Sequence, residues 1–235
     1  MLNATWLQLG AVSFKSFIMK QSLVLAIALA FASSGALAQD ATPEFADYSA
    51  GLAISPFGPS INLTYNVDTK NSISVGFGAL PEGDVPNGFL PDFDPLLLPN
   101  VSVTGSSSWM GLFWRHRPFD NQNLGVNVGL ASGQIENNFT ADGFHPDETV
   151  SYSVNYTENP VVYFGLSYGL KPVKGFQFGV DLGVLSTGGA DIQYTGEAEE
   201  LAEHGDEIAD AMAEIKDNFA WTMLPNIQVG VAYGF

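Results

Sequence analysis

The chain has 235 residues, no cysteine and a formal net charge of −17. So acidic a chain lacks the basic surface that grips phosphates, which excludes nucleic acid as a partner. Without thiols it has no disulfide staples, no thiolate metal site and no cysteine nucleophile.

At the N-terminus, Lys20 is followed by the apolar run Leu23 to Phe31 and then by small residues closing in Ala36-Leu37-Ala38. This order of charge, apolar run and A-x-A predicts a secretory signal peptide over residues 1–38, cut before Gln39. The apolar run is too short for a spanning helix. Met19 makes the better start, so residues 1–18 are a candidate misassigned start. Cleavage removes Lys15 and Lys20 and no acid, which takes the formal charge to −19.

Residues 39–235 then show eight segments of period-two alternation, the mark of strands with two unlike faces. In chain order they hold Tyr48 to Ile54, Ile61 to Val67, Ile73 to Ala79, about 101 to His116, Leu124 to Leu130, a long sixth from about Thr149 to Leu170, Phe176 to Val184, and Ile227 to Phe235. One face is apolar and aromatic. The other is small and polar, with Ser49, Asn62, Thr64, Gly76, Asn127, Gly165, Ser167, Asp181 and Gly183 among its members. A soluble sandwich and a membrane barrel both alternate this way. The even strand count, the small residues on one face and the export signal favour the barrel. The expected fold is therefore all-β: an eight-stranded antiparallel up-and-down transmembrane β-barrel. Closure is required, since lipid offers no partner to an open strand edge.

Connections alternate in length. Residues 68–71, 117–123 and 171–175 read as short turns on the periplasmic side, with both termini. Residues 81–100, 139–148 and 196–218 read as long outer loops, and 55–59 as a short outer one. The last loop is expected to be partly helical, because Leu201, Ile208, Met212 and Ile215 recur at helical spacing, although Gly205 weakens the helix.

Strand phase places Asp181 and Arg115 in the lumen. They read either as a selectivity pair on a water path or as a salt bridge plugging the barrel, since eight strands leave an interior that side chains nearly fill. Tyr163 joins them as a lumen candidate. Glu197, Glu199, Glu200, Glu203, Asp206 and Glu207 form an acidic mouth that would gather cations, or a solvated surface binding divalent ions between lipopolysaccharide phosphates. Phe89, Leu90, Phe93, Leu96, Leu97 and Leu98 form an apolar outer loop. It would lie on the membrane interface, fold over the barrel mouth, or pass apolar molecules sideways as in an OmpW-like barrel. Val231, Tyr233 and the terminal Phe235 read as the signal for the barrel-assembly machinery.

No catalytic constellation is visible. His116, His145 and His204 are scattered without metal-ligand spacing, and no G-x-S-x-G or phosphate loop occurs. The expectation is a non-enzyme without cofactor or metal, with outer-membrane lipid, lipopolysaccharide and small solutes as partners. A non-conducting structural or adhesive barrel remains open.

The stretch Gly175 to Gly188, the following variable insert, and Leu224-Pro225 leading into an aromatic-terminated strand resemble the carbapenem-associated outer-membrane protein family, described as ornithine-uptake porins. Tyr163 to Pro172 and the junction His116 to Phe119 resemble it as well. Asp181 stands where the family has an acid after its Gly-aromatic run. Arg115 departs from it, at a position that looks acidic in the family. The resemblance implies a Gram-negative outer-membrane barrel for passive uptake of small cationic solutes such as basic amino acids.

Overall fold

The computed structural model describes residues 44–145, 148–156 and 160–235. The expected signal peptide lies outside these residues. The described strands are β1 (Tyr48–Ser55), β2 (Gly58–Asn66), β3 (Asn71–Asp84), β4 (Ser102–His116), β5 (Leu124–Asp142), β6 (Thr149–Tyr156), β7 (Val161–Gly169), β8 (Gly175–Ser186), β9 (Asp191–Tyr194) and β10 (Met223–Gly234). All pairings are antiparallel, and β1 closes on β10 from Ser49↔Gly234 to Ile54↔Val229.

The ten segments make eight barrel positions. β6 and β7 both pair with β5, one above the other, and so form the sixth strand in two pieces. β8 and β9 form the seventh in the same way, with β8 against β7 and β9 against β6. The result is a closed eight-stranded antiparallel barrel. Among the described residues no helix is long and apolar enough to cross a membrane.

The outward face of the lower barrel is apolar. Leu52, Ile54, Leu166 and Phe176 are each 60% exposed or more. Polar residues are buried inside instead: Asn66, Ser72, Asn127, Ser167, Asp181 and Asn226. A soluble sandwich buries its apolar faces, so this inversion identifies a lipid-facing barrel. Aromatic side chains gather at the lower rim, where Tyr48 lies near Tyr65 and Phe235, and Phe176 lies edge-on to Tyr233 at 5.0 Å. Such rings suit the membrane interface. At the turn below β2, the side chain and backbone of Asn71 and the backbone N–H of Lys70 donate to Asp68 and hold its carboxyl below the usual range.

Higher up, the pattern reverses. β5 has 19 residues, more than the about 9–11 that cross a bilayer. Its outward Ser132, Gln134, Glu136 and Asn138 are polar, while inward Phe139 and Ala141 are buried. β6 repeats this, with Val150, Tyr152, Val154 and Tyr156 buried inside. Here the barrel follows the rule of a soluble protein, apolar inward and polar outward. The change of phase marks where the wall leaves the lipid.

Connections differ from expectation accordingly. β5 runs on to Asp142 and β6 begins at Thr149, so the first four residues of the loop expected at 139–148 belong to a raised wall. The last loop folds into α1 (Ala198–Glu203) and α2 (Gly205–Asn218). His204 breaks the helix between them, and Gly205 opens the second. Ile208 and Ile215 are buried as the spacing predicted, whereas Leu201 is exposed.

Candidate functional site

The lower lumen is built around one carboxylate. Asp181 on β8 accepts from Arg115 Nη2 on β4 at 3.2 Å, from Asn127 Nδ2 on β5 and from the Tyr163 hydroxyl on β7. Arg115 Nε also donates to Asn127 Oδ1 at 2.8 Å. Four strands thus converge on this ion pair inside the barrel. Asn127 was known only as a member of the polar face; nothing local marks it as the bridge.

Small residues make room for this network. A methyl group at Gly165 or Gly183 would collide with the Tyr163 ring and hydroxyl. The exchange Gly183→Val should therefore unseat Tyr163 and cost about 1–3 kcal/mol, read as an earlier urea midpoint of the heat-modifiable band. Above Tyr163 the rings of Phe113 and Trp109 continue in edge-to-face steps of 5.8 and 6.2 Å. Trp109 Nε1 and Ser107 Oγ both donate to the carbonyl of Phe57, tying the tip of the β1–β2 hairpin to the inner wall.

Below the ion pair the lumen has a floor. Arg117 is 1% exposed. Its guanidinium donates to Ser72 Oγ at 2.7 Å and to the Leu170 carbonyl at 2.8 Å. Asn66 Oδ1 accepts from Ser72, and Asn66 Nδ2 donates to the Ala46 carbonyl. The segment around Ala46 crosses beneath, through Phe45 paired with Val173 and Ala46 N–H bonded to the Pro172 carbonyl. Sequence reading missed this floor, because Arg117 sits in what looks like an ordinary turn.

The upper end has a ceiling. Ile208, Ala211 and Ile215 of α2 enter the apolar interior of the raised wall and pack with Leu98, Val103, Phe139, Val150 and Tyr152. Tyr156 closes the lower edge by donating to the Phe219 carbonyl at 3.3 Å. Burial pushes the Tyr152 and Tyr156 phenols up to about 12. Of the apolar outer loop, Leu98 is fully buried in this cap and Leu90, Phe93 and Leu97 pack on it, with Phe93 edge-on to Phe139 at 5.8 Å. Leu96 points away, 89% exposed, and the Phe89 side chain lies outside the described residues. The loop therefore folds over the mouth instead of lying on lipid.

Between floor and ceiling is a cavity of about 130 Å³, walled by Ser49, Asn62, Thr64 and Ser74 on one side and Trp109, Phe113 and Tyr163 on another. That volume exceeds the ≳ 10–15 Å³ that one water needs. Asp181, Arg115 and Arg117 all reach it.

The acidic residues stand outside. Glu197, Glu199, Glu203, Asp206 and Glu207 are exposed on the solvent face of the helices. Glu200 is half-buried and accepts from the Tyr194 hydroxyl at 2.6 Å; partial burial and this carboxylate hold the phenol above its ordinary range. The terminal strand has Val231, Tyr233 and Phe235 on the outer face, opposite Phe178, Phe176 and near Tyr48. Met223–Gln228 of β10 lie beyond β1, which stops at Ser55, and Pro225 falls in this part, where one edge has no strand to serve. His145 and His204, far apart in sequence, are brought together on the cap.

This fold is that of a small outer-membrane β-barrel protein. No family model and no curated protein matches the chain by sequence. Solved structures do match. Acinetobacter baumannii CarO2 is similar at 15% identity and a TM-score of 0.55, over 83% of this chain and 100% of that one. Acinetobacter baumannii CarO is similar at 13% identity and the same TM-score of 0.55, over 81% and 98%. At these identities the likeness to both structures is one of fold.

Proposed function

We propose that this protein is a gated passive channel for small cationic solutes, basic amino acids among them, in the outer membrane of a Gram-negative cell. On this reading an N-terminal signal peptide exports it and is removed. The observation that supports the reading is the chamber with Asp181 at its wall, held by a side chain that is itself a tethered cation. Arg115 occupies the carboxylate as the guanidinium of a free arginine would. An entering ammonium or guanidinium group can take the place of Arg115 at Asp181, so the pair opens without leaving the carboxylate bare. Breaking it with no replacement would strand a buried charge. The exposed acids on the cap raise the local concentration of cations.

Passage requires the cap to lift and Arg117 to swing off Ser72. The structure is then the closed form, and flux is slow and intermittent. Proteoliposomes loaded with the protein should admit arginine or ornithine faster than glutamate. Arg115→Gln should raise cation flux several-fold by freeing Asp181, and Asp181→Asn should abolish the preference for cations. Equal rates for arginine and glutamate, unchanged in Asp181→Asn, would refute the assignment.

The apolar ceiling supports a second reading, a non-conducting barrel that presents its cap to a surface partner or to apolar ligands. It predicts no solute entry in any of these variants.

A further inference from the structure

The outermost part of the cap carries a cluster that the uptake route does not use. His204 lies at the junction of α1 and α2. Its N–H donates to the Glu200 carbonyl at 2.7 Å, and its own carbonyl accepts from Ile208 at 3.0 Å, so both helices fix its backbone. The ring of Phe144 stacks on its imidazole at 4.2 Å and 18°. The β5–β6 turn is closed by the Gly143 N–H donating to the Glu148 carbonyl at 2.8 Å, and it brings His145 edge-on to His204 at 5.7 Å. One ligand atom each from His145, Glu203 and His204 lies within 4.8 Å of the others.

Two details make this more than a chance gathering. His204 Nε2 is buried without a hydrogen-bond partner in the protein, an arrangement that folded proteins rarely leave unexplained. Phe144 fixes the plane of that ring, while His145 and Glu203 are exposed and free to turn. Two imidazoles and a carboxylate are the donor set of zinc and related divalent transition metals, whereas calcium and magnesium seek oxygen alone. A tetrahedral ion with bonds of about 2.0–2.1 Å sets its donors about 3.4 Å apart. Rotation of the two exposed side chains covers the difference.

We propose that His145, Glu203 and His204 form a site for a zinc-type divalent transition-metal ion that clamps the β5–β6 turn to the α1–α2 junction. The ion would join a turn between two wall strands to the helices that plug the barrel.

The test uses the full protein, purified in detergent without an oligohistidine tag, and zinc chloride as the probe. Calorimetric titration should show one zinc per barrel. Affinity should fall about tenfold or more, since even supporting residues cost that much, in His145→Gln, in Glu203→Gln and in His204→Ala. The heat-modifiable gel shift of each variant reports that it is folded. Zinc should also slow proteolytic cleavage within 143–148, and this protection should vanish in His145→Gln. Zinc binding that survives in folded His204→Ala, or that equimolar calcium displaces, would assign the ion to the acidic surface and overturn the site. Zinc binding without protection would overturn the clamp.

Discussion

Replacing Ile215 with aspartate is expected to release the helical plug while the lipid-facing half of the barrel stays folded. Ile215 is fully buried, at 0% exposure, among Ile208, Phe139 and the inward side chains of β6. None of the described residues that pack this core is cationic, so a carboxylate there would be desolvated and unpaired, at a cost of about 4 kcal/mol or more. The lower barrel does not share that core. Its ladders run through β1, β10, β8, β7 and lower β5, and its interior is the polar network on Asp181. Two cores of opposite polarity stacked in one barrel should therefore fail separately. Protease added outside proteoliposomes should cut within 196–222 in Ile215→Asp and spare the native protein, while both keep the heat-modifiable band. Concerted loss of cap and barrel would show that the two halves form one cooperative unit.

Asp181→Ala is expected to be the most damaging single change inside the membrane-spanning part. It leaves Arg115 with Asn127 alone and strips the Tyr163 hydroxyl of its acceptor. Removing one member of a buried pair costs about 3–5 kcal/mol, and the adjoining chamber gives Arg115 some access to water, which favours the lower end. The converse variant, Arg115→Gln, leaves Asp181 with Asn127 and Tyr163 still donating, so its cost should be smaller. The double change Arg115→Met with Asp181→Leu should recover most of the loss, because it removes both charges together. Urea titrations of the three variants, followed by tryptophan fluorescence, check the order. Equal losses in Asp181→Ala and the double variant would mean that the pair contributes through shape and not through charge.

The sequence shows those features of the fold whose chemistry is local. The terminal strand from Ile227 to Phe235 announces itself, because lipid on one side and a narrow lumen on the other force a strict alternation. The same phase placed Asp181 and Arg115 inside. The raised wall was harder. Along β5 the alternation continues past Leu130 without a break, but its sense inverts: Ser132 and Gln134 now face out and Phe139 faces in. A reader of period alone sees a strand ending where its apolar outer face ends, and assigns the remainder to a loop. The sixth strand reads as one because both its pieces alternate, and their separation into β6 and β7 shows only in the pairing with β5. The apolar outer loop could be recognised but not placed, since Leu98 finds Ile208 and Ile215 only through tertiary packing. Arg117 and the His145–His204 pair depend on partners distant in sequence, and no spacing rule reaches them.

On the channel reading, the barrel is a closed but openable path whose charge preference resides in Asp181. Single-channel recording in a planar bilayer tests it most directly, with the native protein and Ile215→Asp compared under a gradient of arginine chloride. A gated cation path should give rare openings of the native protein, frequent ones of Ile215→Asp, a reversal potential favouring the cation in both, and loss of that preference when Asp181→Asn is added. A silent bilayer with both proteins, at protein levels where the heat-modifiable band proves insertion, would contradict it and leave a sealed barrel with a surface cap.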